Sequence, residues 1–124
     1  GRRMGLGDVS ASVVPKVGLL APAREGGTIS SRYLTPLSVH DAHAVTGAIC
    51  IASCAMIEGT VANSLAASGD SGAVRIEHPS GSIDIRLETY GEGANLDIAR
   101  AGVVRTARKI MHGHACIPAA VWPH

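Results

Sequence analysis

Apolar and polar positions along this chain follow a period of two on either side of one long apolar block. Thr28–Thr35 (TISSRYLT) sets Ile29, Ser31 and Tyr33 against Thr28, Ser30 and Arg32, which predicts a strand. From Ser38 to Gly59 (SVHDAHAVTGAICIASCAMIEG) the alternation stops, and Ala44, Val45, Ile49, Cys50, Ile51, Ala52, Cys54, Ala55, Met56 and Ile57 leave no polar face. Ser38 and Asp41 fit the S-x-x-[DE] capping box and Gly59 supplies a stop, so the block predicts a helix covered on every side. At about 1.5 Å per residue it is too short, and too interrupted by Gly, Ser and Thr, to cross a bilayer core of about 30 Å.

Beyond it, Thr60–Ala67 predicts a short helical piece and Ser68–Gly72 (SGDSG) a loop. Val74, Ile76 and His78 then alternate with Arg75 and Glu77, Pro79-Ser80-Gly81 turns the chain, and Ile83, Ile85 and Leu87 alternate with Asp84, Arg86 and Glu88. That is a hairpin with one polar face. Gly91–Ala94 reads as a turn, Leu96–Arg105 as a strand and Thr106–Pro118 as mostly strand. Upstream, Val9–Leu20 predicts an edge strand or two short strands broken at Pro15, Pro22–Gly27 a turn, and Pro36 a sharp loop. Gly1–Gly7 (GRRMGLG) lacks periodicity and reads as a tail or the stub of a longer polypeptide. The layout predicts a single α+β domain over residues 1–124, a β-barrel-like sheet wrapped around one central buried helix.

Composition sharpens the core. With 46% hydrophobic against 17% charged residues the chain can fold, but it has no Phe, one Trp, two Tyr and 15 Gly. Ala, Val, Ile and Leu must fill the interior, which favours close approach of a small-residue helix to strands. A net charge of +1 without a basic, aromatic-laced stripe gives no support for nucleic-acid binding. Three cysteines, two of them in the apolar block, point to buried reduced thiols and a cytoplasmic protein, with no secretory signal and no membrane span.

MGLGDVSASVVPK (Met4–Lys16), GGTISSRYLTP (Gly26–Pro36), HDAHAVTGAIC (His40–Cys50), EHPSGSIDI (Glu77–Ile85) and RTARKIMHG (Arg105–Gly113) together resemble the methylaconitate isomerase (PrpF) family over nearly the whole chain. The resemblance implies cis–trans isomerases and tautomerases that move a double bond in small unsaturated di- and tricarboxylates without a cofactor. It also implies a fold like that of diaminopimelate epimerase, with two similar domains and the active site in the cleft between them. On this resemblance the chain corresponds to the C-terminal portion of such a protein. The general base is expected in the absent N-terminal domain, and no catalytic residue is assigned here. Sliding the CGSGA pattern of the related epimerases onto Ala44-Val45-Thr46-Gly47-Ala48 puts Ala44 at the cysteine, so the thiol mechanism does not carry over. Cys50 and Cys54 fall one or two turns deeper and are expected to be buried.

A helix N-terminus attracts a carboxylate through unpaired N–H groups and the positive end of its dipole. The candidate substrate-binding residues are therefore Ser38, His40, His43, Val45, Thr46 and Gly47, joined through the resemblance by Ser80 and Gly81. Each has a plainer reading: capping or packing for the histidines, a hairpin turn for Ser80-Gly81. His40 and His43 lack further ligands for a metal, His112 and His114 read as exposed turn residues, and Arg32 and Arg105 are either solvated or forks for a substrate carboxylate. Two functions stand side by side: the substrate-binding part of a cofactor-free isomerase, or a non-catalytic module that keeps the fold, self-associates and binds a small anion. The partners expected are a small polycarboxylate, and either the absent domain or a second copy covering Ala115, Cys116, Ile117, Ala119, Ala120, Val121 and Trp122.

Overall fold

The computed structural model describes residues 1–35, 37–68, 72–118 and 120–122. The elements run β1 (Val17–Pro22), β2 (Ile29–Thr35), β3 (Ser38–Val39), α1 (Val45–Met56), α2 (Val61–Leu65), β4 (Ala73–His78), β5 (Gly81–Tyr90) and β6 (Asp97–Val103). The strands form one six-stranded sheet in the order β1-β2-β4-β5-β6, with β3 beside β2. Every pairing is antiparallel except β2 with β4. A parallel pair cannot be joined by a hairpin, and α1 and α2 supply the crossover between β2 and β4.

The period-two residues fall where alternation puts them. Ile29, Val74, Ile76, Ile83, Ile85 and Leu87 are buried on the inner face of the sheet, against Ala48, Ile51, Ala52 and Ala55 of α1. Both edges reach this core: Leu20 from β1 and Ile98 and Val103 from β6 pack on it. Ile51 Cδ1 of α1 also lies 3.1 Å from where a side chain on Gly18 of β1 would begin. On the outer face Arg75 Nε and Asp84 Oδ1 pair across the hairpin at 2.7 Å. Beside them Glu77 is 7% exposed, because its carboxylate accepts the backbone N–H groups of Arg24, Glu25 and Gly27 and holds the β1–β2 loop down. Those bonds, Arg24 foremost, keep its acid group below the ordinary carboxylate range.

Several expectations need correction. The helix starts at Val45 and not at Ser38, because Ser38 and Val39 pair with Thr35 and Leu34 as β3. The Ser38 hydroxyl is spent on Thr35 Oγ1 at 3.0 Å, and the N-cap is Ala44, with no side-chain cap. At the other end α1 stops at Met56, Gly59 turns at φ +81°, and Thr60 caps α2 by accepting the N–H of Asn63. Asn63 Nδ2 in turn donates to the Ala55 carbonyl at 2.9 Å, so the exposed carbonyl end of α1 is closed by side chains.

The helix is not covered on every side: Val45, Thr46 and Cys50 are exposed, and Cys54 is half-buried rather than fully enclosed. β1 begins only at Val17, paired with Leu34, one residue before β2 ends at Thr35. The segment 106–118 forms no strand, since β6 already ends at Val103 and the last bond to the sheet is Val104 N–H to the Asp84 carbonyl. Its side chains are exposed, Ile110 at 95%. The expected loop at Pro36, the centre of SGDSG at 69–71, and Ala119 lie outside the described residues. Among the described residues no helix is long and apolar enough to cross a membrane.

Ala48 and Ala52 have no exposed surface, so Ala52→Leu forces the strands outward and should cost about 1–3 kcal/mol by overpacking. A denaturant titration reads this directly. An unchanged midpoint would mean that the inner face of α1 is not enclosed.

Candidate functional site

Three stretches distant in sequence meet at the start of α1. The loop that leads into the helix is tied to β2 by His40 N–H to the Tyr33 carbonyl at 2.8 Å. The β4–β5 turn is tied to the same loop by the Ser80 hydroxyl, which donates to the Asp41 carbonyl. The motifs HDAHAVTGA and HPSG are thereby brought to one place. The N–H groups of Val45, Thr46 and Gly47 open the helix there with no side-chain cap, and Val45, Thr46 and Ser80 are exposed. The result is an exposed surface with a positive end, suited to an anion.

The histidines around it are sorted by their hydrogen bonds. His40 Nδ1 accepts the Ala42 N–H at 3.1 Å and His78 Nδ1 accepts the Ser80 N–H at 3.3 Å, so each neutral ring carries its proton on Nε2. Both are half-buried. His43 is the opposite. It is 6% exposed, its Nδ1 lies 3.0 Å from the Ala44 carbonyl, and its Nε2 lies 3.1 Å from Ser31 Oγ. A carbonyl only accepts, so Nδ1 carries the proton and Nε2 accepts from the Ser31 hydroxyl.

Burial depresses the pKa of His43; the bond to Ala44 opposes that and the neighbouring His78 and His40 add to it. Its ring leans on Tyr33 with centroids 4.8 Å apart. Tyr33 in turn covers Gly47, where a β-carbon would stand 2.6 Å from Tyr33 Cζ, so no side chain fits beneath the ring.

The predicted site residues therefore divide. Ser80 is fastened to the loop that carries His40, and Val45 and Thr46 are exposed on the first turn of α1, into which that loop leads. Gly47 and His43 are buried, as packing and support. Gly81 opens β5 opposite His78 with φ +133°, a glycine conformation that lets the turn approach. Ser38 is not at the helix N-terminus and sits on β3 beside Thr35. Arg32 and Arg105 are exposed, as are His112 and His114.

Sequence reasoning missed Ser31, Tyr33 and His78 as parts of this site. Alternation already put Ser31 and Tyr33 on the inner face of β2 and His78 on that of β4, in line with Val74 and Ile76. A polar side chain on an apolar face is the signal that was there to be read. Among the described residues no group of three His, Cys, Asp or Glu side chains converges as metal ligands.

An α+β domain with an uncapped helix end and a turn locked over it is the class that the geometry defines. The sequence model described as PrpF protein matches residues 1–118, and the chain belongs to this family. It is 48% identical over 118 residues to YbhH of Escherichia coli (strain K12), which is named an isomerase only provisionally; the match covers 95% of this chain and 33% of that protein. It is 42% identical over 126 residues to the 4-oxalomesaconate tautomerase of Pseudomonas putida, across 98% of this chain and 33% of that one. The crystal structure of a methylitaconate-delta-isomerase superposes with a TM-score of 0.63 at 27% identity, over 82% of this chain and 29% of that one. The chain thus spans about a third of the length of the curated relatives that it matches.

The depressed pKa of His43 has a sign. Unfolded, the ring takes a proton near its ordinary 6.5, and folded it takes one only at lower pH. Between the two the unfolded chain binds more protons, so the contribution of His43 is complete above about pH 6.5 and is lost as pH falls below it. A ring-proton NMR titration should give a midpoint below 6.5 for His43, and a midpoint above 6.5 would contradict its burial.

Proposed function

We propose that this chain is the C-terminal, substrate-binding part of a cofactor-independent isomerase that shifts a double bond in a small unsaturated di- or tricarboxylate. The observation that carries the reading is the open N-terminus of α1, with Val45 and Thr46 exposed and the Ser80 turn fastened beside it. Relatives named for oxalomesaconate, 2-methylaconitate and 3-methylitaconate support the substrate class.

Such a reaction removes a proton from an allylic carbon, leaves an enolate-like charge on the carboxylate, and returns a proton at the far end of the allyl unit. No electrons are gained or lost. In this reading the helix N–H groups hold the carboxylate on which charge develops, worth about 0.3–1 kcal/mol in an exposed setting and up to about 2 when partly buried. His40, whose Nε2 carries its proton, offers a further donor, and the general base comes from a preceding domain that closes the other side of a cleft. That domain, or a second copy of this chain in a homo-oligomer, would cover the exposed Ile110, Met111, Ile117 and Trp122. Further strands from the same source would close the sheet into a barrel around α1. The protein is read as cytoplasmic.

The test is a paired measurement on this chain with 2-methylaconitate and 4-oxalomesaconate. Binding on the order of millimolar, with little or no isomerisation by proton NMR, is the expected result. Turnover close to that of a full-length relative would overturn the division of labour between two domains. Absence of both binding and turnover would favour the non-catalytic module.

A further inference from the structure

Most helices are fixed at their start by a Ser, Thr, Asp or Asn side chain that accepts the first N–H groups. Here that solution would spoil the site, because the groups it satisfies are the ones an anion needs. The N-cap of α1 is Ala44, whose methyl cannot accept a hydrogen bond, and the end is nevertheless anchored. The Ala44 carbonyl receives two donors, the helical N–H of Ala48 at 2.8 Å and the ring of His43 through Nδ1 at 3.0 Å. On its far side the same ring takes the hydroxyl of Ser31, a residue of β2 that is 1% exposed, at 3.1 Å. Tyr33, two residues along the same strand, packs on both the ring and Gly47.

The geometry points to His43 as the positioning residue of the anion site: it grips the helix start by its carbonyl side and so leaves the N–H groups of the exposed Val45 and Thr46 free for a substrate carboxylate. This role rests on the reading of the helix end as the carboxylate site. It assigns His43 no contact with substrate and no part in proton transfer. Only a neutral ring with the proton on Nδ1 can donate to Ala44 and accept from Ser31 at once. The Ala44 carbonyl, which can only accept, selects that tautomer, and the Ser31 hydroxyl, which has no other hydrogen-bond partner among the described residues, then donates to Nε2. Sequence position alone suggests the reverse, a histidine three residues after His40 facing the same ligand. Burial separates the two: His40 is half-buried and His43 is buried.

The test is an amide NMR titration of the full chain with cis-aconitate, following Val45, Thr46 and Gly47, with long-range nitrogen–proton correlations of the His43 ring. In the wild type the ring should show the proton on Nδ1, and the three amides should shift on titration. His43→Phe combined with Ser31→Ala keeps an aromatic ring beside Tyr33 and leaves no buried hydroxyl without a partner. It should stay folded and bind cis-aconitate at least fivefold more weakly. His43→Asn puts a donor at the position of Nδ1 and should restore most of the affinity, whereas His43→Gln, whose amide reaches toward Ser31 instead, should not.

A folded double variant that binds within twofold of wild type would overturn the role while leaving the carboxylate site standing. If the double variant fails to fold, equal binding by His43→Asn and His43→Gln would overturn it in the same way. A wild-type chain whose three amides do not respond to cis-aconitate would overturn the carboxylate site itself, and this role with it.

Discussion

The rest of the structure depends on how closely α1 sits on the sheet. That closeness comes from residues with little or no side chain: Gly47, Ala48, Ala52 and Ala55 are the buried positions of the helix, and only Ile51 among its buried residues is large. The strands bring the volume in their stead, with Ile29, Val74, Ile76 and Ile85 fully enclosed. A chain without phenylalanine has few other ways to fill an interior, and small facing large is the packing that reaches native density. The first turn shows the tightest form of this. Tyr33 packs against Gly47, and a single methyl at that position would have to displace the ring.

From that close seat the site follows. A helix held near β2 can be fastened to β2, and Ser31, His43 and the Ala44 carbonyl form the fastening. The parallel pairing of β2 with β4 sets His78 and the Pro79-Ser80 turn next to the same helix end, where Ser80 reaches the Asp41 carbonyl. Structural bonds are thus spent on carbonyl groups and on side chains behind the helix start. The N–H groups in front receive no side-chain cap, and the proposed carboxylate site rests on this arrangement.

Much of this was legible in the sequence. The β4–β5 hairpin announces itself by inner and outer residues in strict alternation over 74–78 and 83–88, on either side of Pro79-Ser80, and β2 by Ile29, Ser31 and Tyr33. The start of α1 was not legible, because Ser38 and Asp41 imitate a capping box while Ser38 belongs to a two-residue strand that only β2 makes possible. A local pattern lost to a tertiary pairing. The exposed flank at Val45, Thr46 and Cys50 was hidden for a related reason: an exposed surface of small and apolar residues has the same composition as a buried one. Among the site residues, His40, Thr46 and Ser80 could be named from motifs, but the difference between His40 and His43 depends on which ring is covered, and no spacing reports that.

In the proposed function a polycarboxylate binds at the uncapped start of α1, against the turn that carries Ser80. A structure of the chain with cis-aconitate bound, or of a longer protein that contains it, measures this most directly. The account predicts one carboxylate with an oxygen about 2.7–3.2 Å from the backbone nitrogens of Val45 and Thr46. A ligand seated elsewhere, with those nitrogens still facing water, would contradict it.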